Sequence, residues 1–197
     1  SLIPGAGRTD LARRPGLLHP CPVSDAWLPY TDPMTDESSA ASAAPEKSPD
    51  GVATLGSRVP PGGTGDPDRI LDLFLGWAAD AGFTLYPAQE EALLELMADR
   101  HVVLDTPTGS GKSLVALGLH FRGLCEGRRS YYTSPIKALA SEKFFALCAE
   151  LGADNVGMLT GDASINPEAG VVCCTAEVLA NLALREGEAL DAPYVVM

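Results

Sequence analysis

Basic side chains are scarce in this sequence: 14 Lys and Arg stand against 26 Asp and Glu, a net charge of −12 over 197 residues. A chain of that sign does not capture nucleic acid wholesale through its own field. A local groove, in which backbone amides and a few cations hold phosphates, stays open. Long hydrophobic runs are missing too. No stretch approaches the roughly 18 residues of a membrane-crossing helix, so no membrane partner is expected. The five cysteines (Cys21, Cys125, Cys148, Cys173, Cys174) show no metal-ligand spacing. Cys173-Cys174 lies in an apolar run, where a free thiol behaves as a small hydrophobe. An odd count without a secretory signal points to a reduced, cytoplasmic protein. Histidine is sparse (His19, His101, His120) and none is assigned a catalytic role. Methionine is absent from position 1, whereas Met34-Thr35-Asp36-Glu37 reads as an ordinary start, so residues 1–33 are read as upstream translation. Apolar side chains make up 46%, enough for one domain with a real core plus some disorder.

The most informative stretch is Thr106-Pro107-Thr108-Gly109-Ser110-Gly111-Lys112-Ser113. It follows an apolar run expected to be a strand, Val102-Val103-Leu104, and opens into Leu114–Leu119, which reads as a helix. Strand, glycine-rich loop and helix in that order are what a phosphate-binding loop requires. Gly109 and Gly111 let backbone N–H groups turn inward with no Cβ in the way. The helix start adds free donors and a partial positive charge. Lys112 is expected on the β- and γ-phosphates of a nucleoside triphosphate and the Ser113 hydroxyl on Mg²⁺. Thr106 stands where the general pattern has Gly.

Residues 1–66 are rich in Pro, Gly, Ser and Ala, and are expected to be disordered because they cannot bury enough surface to offset chain entropy. Order is expected from Asp66-Pro67-Asp68, a helix-start signal, with Ile70, Leu71, Phe74, Trp77 and Ala78 at helical spacing. A second helix follows Pro87, with Ala92, Leu93, Leu96 and Met97 on one face. Strands are expected at 129–133, 156–159 and 171–174. Helices are expected at 138–151, burying Leu139, Phe144, Leu147, Cys148 and Leu151, and at 176–185, burying Val178, Leu179 and Leu182. Alternating apolar strands and helices indicate an α/β domain, a parallel sheet with helices on both faces, over 67–197. Tyr194-Val195-Val196-Met197 reads as a buried strand, which suggests a sequence cut inside a domain.

Five segments together carry a resemblance. Phe83–Gln89 precedes the loop; Thr106–Ser113 is the loop; Ser134-Pro135-Ile136-Lys137-Ala138-Leu139 follows. Then come Thr160-Gly161-Asp162 with Ile165-Asn166-Pro167, and Cys174-Thr175-Ala176-Glu177-Val178-Leu179-Ala180-Asn181. In order and spacing they resemble the Q motif, phosphate loop and following motifs of superfamily 2 DEAD/DEAH-box helicases. The Ski-type, exosome-associated RNA helicases are most similar, in particular an actinobacterial branch. That group also uses a non-Gly first loop position, as Thr106 is here.

The resemblance implies a partial RecA-like P-loop domain, ATP and Mg²⁺ as cofactors, and single-stranded RNA, or DNA, as partner. Thr106, Thr108, Gly109, Ser110, Gly111, Lys112 and Ser113 would hold the nucleotide, with Lys112 and Ser113 catalytic and Ser113 on the metal. The Gln89 amide has a donor and an acceptor side that match the N7 and N6 edge of adenine. Phe83 would pack on the adenine or ribose, or else belong to the core. Pro135, Lys137 and Ala138 fall after a strand, on the rim where open α/β sheets bind ligands. There Lys137 would take an RNA phosphate, or be a solvated lysine. Gly161 and Asp162 would turn the backbone beside the strand of RNA; a plain turn is the simpler reading. Thr175 and Glu177 would touch nucleic acid, cap a helix, or do both. Arg128-Arg129 reads as a solvated loop.

In that family the next residues form the D-E-x-H box, and a second RecA-like domain brings arginine fingers worth about 10³–10⁵ in rate in related systems. The 197 residues alone are therefore expected to hydrolyse ATP negligibly, and a sheet with open edges to aggregate. Three other readings stay open: a DNA helicase or translocase, a small-molecule P-loop kinase, and a non-catalytic interaction fragment. Kinases of that class lack a Gln placed like Gln89.

Overall fold

The computed structural model describes residues 53–107 and 109–197. The readings of 1–33 as upstream translation and of the residues up to 52 as disordered lie outside the described residues, as does Thr108. Packed structure begins before the expected boundary at Asp66. Leu55, in a short 3-10 turn over Leu55–Arg58, is fully buried in the main core. A Cβ on Gly56 would lie 1.8 Å from the Leu151 carbonyl oxygen, so the strap runs hard against the helix that ends there. Arg58 reaches Asp80 at 2.6 Å, and the Thr64 N–H donates to the Cys125 carbonyl at 2.6 Å. One Leu and one Gly fix a segment whose composition otherwise reads as unstructured.

Helix α1 (Pro67–Asp80) starts where the sequence predicts. The Asp66 carboxylate caps it by accepting from the Asp68 N–H at 3.1 Å, and Pro67 occupies a first-turn position whose missing N–H costs nothing. Gly82, at φ 78°, ends it. Helix α2 (Pro87–Met97) also begins at a proline and buries Ala92, Leu93 and Met97. Helix α3 (Lys112–Glu126) is longer than the sequence reading had it and carries Phe121 and Cys125 into the core. Then follow β1 (Ser130–Ser134), α4 (Lys137–Leu151), β2 (Val156–Leu159), β3 (Ser164–Ile165), β4 (Val171–Thr175), α5 (Ala176–Glu186) and β5 (Tyr194–Val196).

Strand order is β3-β2-β4-β1-β5, all neighbours parallel except the short antiparallel β3, which the sequence did not announce. Alternate residues of β4 serve opposite faces: Val171 and Cys173 join the main core under α1–α4, while Val172 and Cys174 join Tyr131 against α5. That two-sided burial explains the unbroken apolar run. Val178, Leu179 and Leu182 are only half-buried, because the face under α5 holds just three buried residues, Tyr131, Val172 and Cys174; Leu139 is exposed in the first turn of α4.

The strand expected at 102–104 is not one. Val102 and Leu104 pack on the core and Val103 is 93% exposed, an in-out alternation proper to a strand. No described strand lies beside it to supply a hydrogen-bond ladder, so the segment enters the loop extended but unpaired.

Candidate nucleotide and nucleic-acid site

The glycine-rich loop turns on two left-handed residues, Gly109 (φ 85°) and Gly111 (φ 76°), the second being the N-cap of α3. An L-side chain is strained at either. Space around Gly109 is open, whereas a Cβ on Gly111 would come within 2.3 Å of Gln89 Nε2. Lys112 and Ser113 occupy the exposed first turn of α3, whose leading N–H groups have no carbonyl within the helix. The Lys112 ammonium is folded back onto its own loop, donating to the Thr106 carbonyl at 2.5 Å and the Pro107 carbonyl at 3.1 Å. Thr106 Oγ1 and Ser110 Oγ lie 2.6 Å apart across the loop.

Gln89 is the buried link between this loop and α2. Its Oε1 accepts from the Tyr86 N–H at 2.8 Å, completing a capping box at the start of α2. Its Nε2 donates to the carbonyls of Ser110 (3.1 Å) and Gly111 (2.9 Å). Both amide hydrogens are thus engaged, and reading an adenine edge would require one to be released. A small cavity of about 130 Å³ opens beside it, lined by Tyr86, Gln89, Leu104, Thr106 and Lys112 among others. Phe83 is 41% exposed over Trp77, with ring centroids 5.8 Å apart. A larger hollow of about 480 Å³, between residues 59–65 and the C-terminal end of α3, contains none of the expected residues.

The other expected residues gather on one edge of the sheet. Ser134 pairs with Thr175 and Leu159 with Cys174, so the carboxyl ends of β1, β4 and β2 stop level. Pro135, Lys137 and Ala138 leave the first exposed; Thr175 and Glu177 leave the second; Gly161 and Asp162 leave the third. Thr175 is the N-cap of α5 by position, yet its side chain makes no capping bond and is buried. Gly161-Asp162 forms the tip of the β2–β3 hairpin, closed by Thr160 N–H to the Ala163 carbonyl at 2.9 Å. Lys137 Nζ meets Asp162 Oδ1 at 2.6 Å, and this partner holds the Asp162 carboxyl below the usual carboxylate range. The C-terminal part of α3 lies over the start of β1: a Cβ on Gly123 would sit 3.5 Å from Ser130 Cβ. Its first turn, with Lys112 and Ser113, is therefore directed toward the carboxyl edge.

Burial pushes the Cys173 thiol up to about 12 and those of Cys125 and Cys174 to about 11, which leaves them protonated and unreactive. Among the described residues no cluster of three or more His, Cys, Asp or Glu can hold a metal ion. The main interaction that sequence reading missed is Arg122. Buried in α3, it pairs with Glu126 (2.7 Å) and Asp99 (2.6 Å), donates to the Leu96 carbonyl, and lies 5.3 Å over the Tyr194 ring. The four-residue spacing of Arg122 and Glu126 was the available signal. Arg129 pairs with Glu168 at 2.5 Å, and Arg128 lies over Tyr194 at 5.5 Å.

Comparison with known proteins places the sequence among helicases. The profile of the DEAD/DEAH box helicase family matches residues 86–192 of the 197. "Probable helicase HelY" of Mycobacterium tuberculosis is 39% identical over 128 residues, 64% of this chain and 14% of the relative. "DExH-box ATP-dependent RNA helicase DExH15 chloroplastic" of Arabidopsis thaliana is 40% identical over 117 residues, 59% of this chain and 9% of the relative. "ATP-dependent RNA helicase mtr4" of Schizosaccharomyces pombe is 37% identical over 108 residues, 55% of this chain and 10% of the relative. The chain thus spans about a seventh or less of the length of these relatives. The matched segment covers more than half of the chain and encloses Gln89, the phosphate loop, Lys137, Asp162 and Thr175, and so the chain belongs to the DEAD/DEAH box helicase family.

Proposed function

We propose that this segment is the ATP-binding part of an ATP-dependent RNA helicase motor, placed in the cytoplasm. The observation that carries the reading is the loop hinged at Gly109 and Gly111 with Lys112 and Ser113 on the first turn of α3. Its residues fit a triphosphate with Mg²⁺: open space at Gly109, helix-start donors, and an ammonium held, among the described residues, by two loop carbonyls. Bound ATP would supply a cleavable γ-phosphoryl group and its Mg²⁺ a counter-charge. Lys112 would exchange the carbonyls of Thr106 and Pro107 for phosphate oxygens. Ser113 would present its hydroxyl to the metal. Gln89 would exchange one loop carbonyl for the base, which ties occupancy of the base site to the shape of the phosphate loop. Phe83 and Thr108 complete the nucleotide set.

The level carboxyl edge offers Pro135, Lys137, Ala138, Gly161, Asp162, Thr175 and Glu177 to a nucleic-acid backbone. RNA rather than DNA is favoured by the names of two relatives, both called RNA helicases. Contacts to the backbone alone separate the two substrates only through the 2′-OH.

The test is the ATPase rate of the complete protein with no nucleic acid, single-stranded RNA or single-stranded DNA, beside Lys112→Ala. Stimulation by RNA well above DNA, abolished by the Lys112 change, is expected. Equal or greater stimulation by DNA would make it a DNA translocase. No stimulation by either would return it to the wider class of P-loop enzymes.

A further inference from the structure

The two charged residues of the hairpin tip and the α4 start come from strands that are not neighbours, since β4 separates β2 from β1. They nevertheless meet at 2.6 Å across the carboxyl edge. The carboxylate is aimed there: Thr160 Oγ1 donates to Asp162 Oδ1 at 2.9 Å and itself accepts from the Ala163 N–H at 3.2 Å. Both side chains are more than half exposed. An ion pair so placed contributes little to stability. Lys137 is also the only basic side chain in residues 134–138, 159–163 and 174–178, the three segments of this edge. Among the described residues, the one cation carried by these three segments is already neutralised by the protein's own oxyanion.

We propose that Asp162 is a built-in competitor for Lys137, its carboxylate holding the ammonium until a backbone phosphate of single-stranded nucleic acid displaces it. The inference rests on the helicase reading and adds to it a residue that sets how tightly the strand is held. Binding then exchanges one ion pair for another instead of creating one, so the strand is held weakly at this point and is readily released. For a motor that must let go of phosphates as it steps, a self-neutralising contact limits dwell time. The competitor rides on the β2–β3 hairpin and the lysine follows β1 at the start of α4, so any shift of one strand end against the other changes the competition.

The experiment is a double-mutant cycle in the complete protein, reading the Kd of a fluorescein-labelled oligouridylate by anisotropy without nucleotide. The variants are Asp162→Asn, Lys137→Gln and the double change, with Asp162→Glu as a control that keeps the charge. Asn retains an acceptor for Thr160, and unchanged thermal midpoints are the check on folding. Asp162→Asn should bind about two- to fivefold tighter, the range an exposed ion pair commands. In the Lys137→Gln background the same change should do nothing, and Asp162→Glu should stay near wild type. Equal tightening in both backgrounds would mean plain repulsion between carboxylate and phosphate, and would overturn the proposal. Weaker binding by Asp162→Asn would overturn it as well; Asp162→Ser, run alongside, guards against a defect particular to Asn. If the wild-type protein binds neither oligouridylate nor oligodeoxythymidylate, the helicase reading itself fails and takes this inference with it. Binding without a Lys137-dependent effect of Asp162 would sink the inference alone.

Discussion

At the scale of single residues, the phosphate loop is held in shape by an amide that touches no phosphate. Gln89 spans the start of α2 and the last carbonyls of the loop, and Gly111 has room for no Cβ between them. Gly111→Ala therefore combines a strained left-handed backbone with a displaced Gln89. ATPase activity should fall at least about tenfold and the KM for ATP should rise, since small misplacement of a binding loop has large kinetic effects. Steady-state kinetics of the complete protein would decide. His120 makes a different kind of prediction. Fully buried, it shares a 2.8 Å contact between Nδ1 and Ser130 Oγ, while its Nε2 has no partner among the described residues. Ser130 Oγ also points at the Gly170 carbonyl, 3.4 Å away, so its proton suits that acceptor and Nδ1–H suits Ser130. Nε2 is then a bare lone pair, the less costly orphan. Burial lowers the His120 pKa from 6.5 to about 4. Between those values the unfolded chain binds a proton that the folded chain refuses. Its contribution to stability is complete above pH 6.5 and is lost as pH falls toward 4, by about 3 kcal/mol at most. Urea midpoints of wild type and His120→Gln should converge in their pH dependence above pH 6.5 and separate below it.

At the scale of elements, the strap over residues 54–65 belongs to the folded unit. Leu55 is wholly buried, and its removal opens a cavity between the strap and α4; Leu55→Ala should cost about 2–5 kcal/mol in denaturant unfolding. A deletion up to residue 65 should lose at least as much relative to one up to residue 52. Composition hides this strap because its anchoring needs one apolar residue and one close glycine amid Pro and Gly. The helices were legible for the opposite reason: each has a long periodic face, and Asp66-Pro67 and Pro87 mark their starts. Strands β2 and β4 were legible as apolar runs, and β1 as a short β-prone Tyr-Tyr-Thr segment. The two-residue β3 offers no period to read, and 102–104 has the period but no neighbour. For the candidate site, residue types and spacing marked the glycine-rich loop, Gln89 and the three segments that the fold brings to one edge. The partnerships among them were invisible: nothing in the order of residues says that Lys137 faces Asp162 or that Lys112 rests on its own loop. The first depends on register among strands that are distant in the chain, and the second on how a local loop folds back on the start of its helix.

At the scale of the whole molecule, charge and fold pull in different directions. A net charge of −12 gives no general attraction for nucleic acid, and the proposed reading rests affinity on local geometry along one sheet edge. That edge exists only once the sheet is complete, and the sheet is assembled out of sequence. Strand β1, next to the edge strand β5, pairs Ser130 with Val171 on one side and with Tyr194 on the other, partners 41 and 64 positions later in the chain. On a ribosome adding about 5–20 residues per second, Tyr131 and Tyr132 would wait at least some seconds without either neighbour. Through that interval a β-prone Tyr-Tyr-Thr segment with unpaired backbone is presented to whatever chain is nearby, including a second nascent copy. The delay between making β1 and making the two strands that flank it is thus a window for misassociation that the order of the strands along the chain builds in.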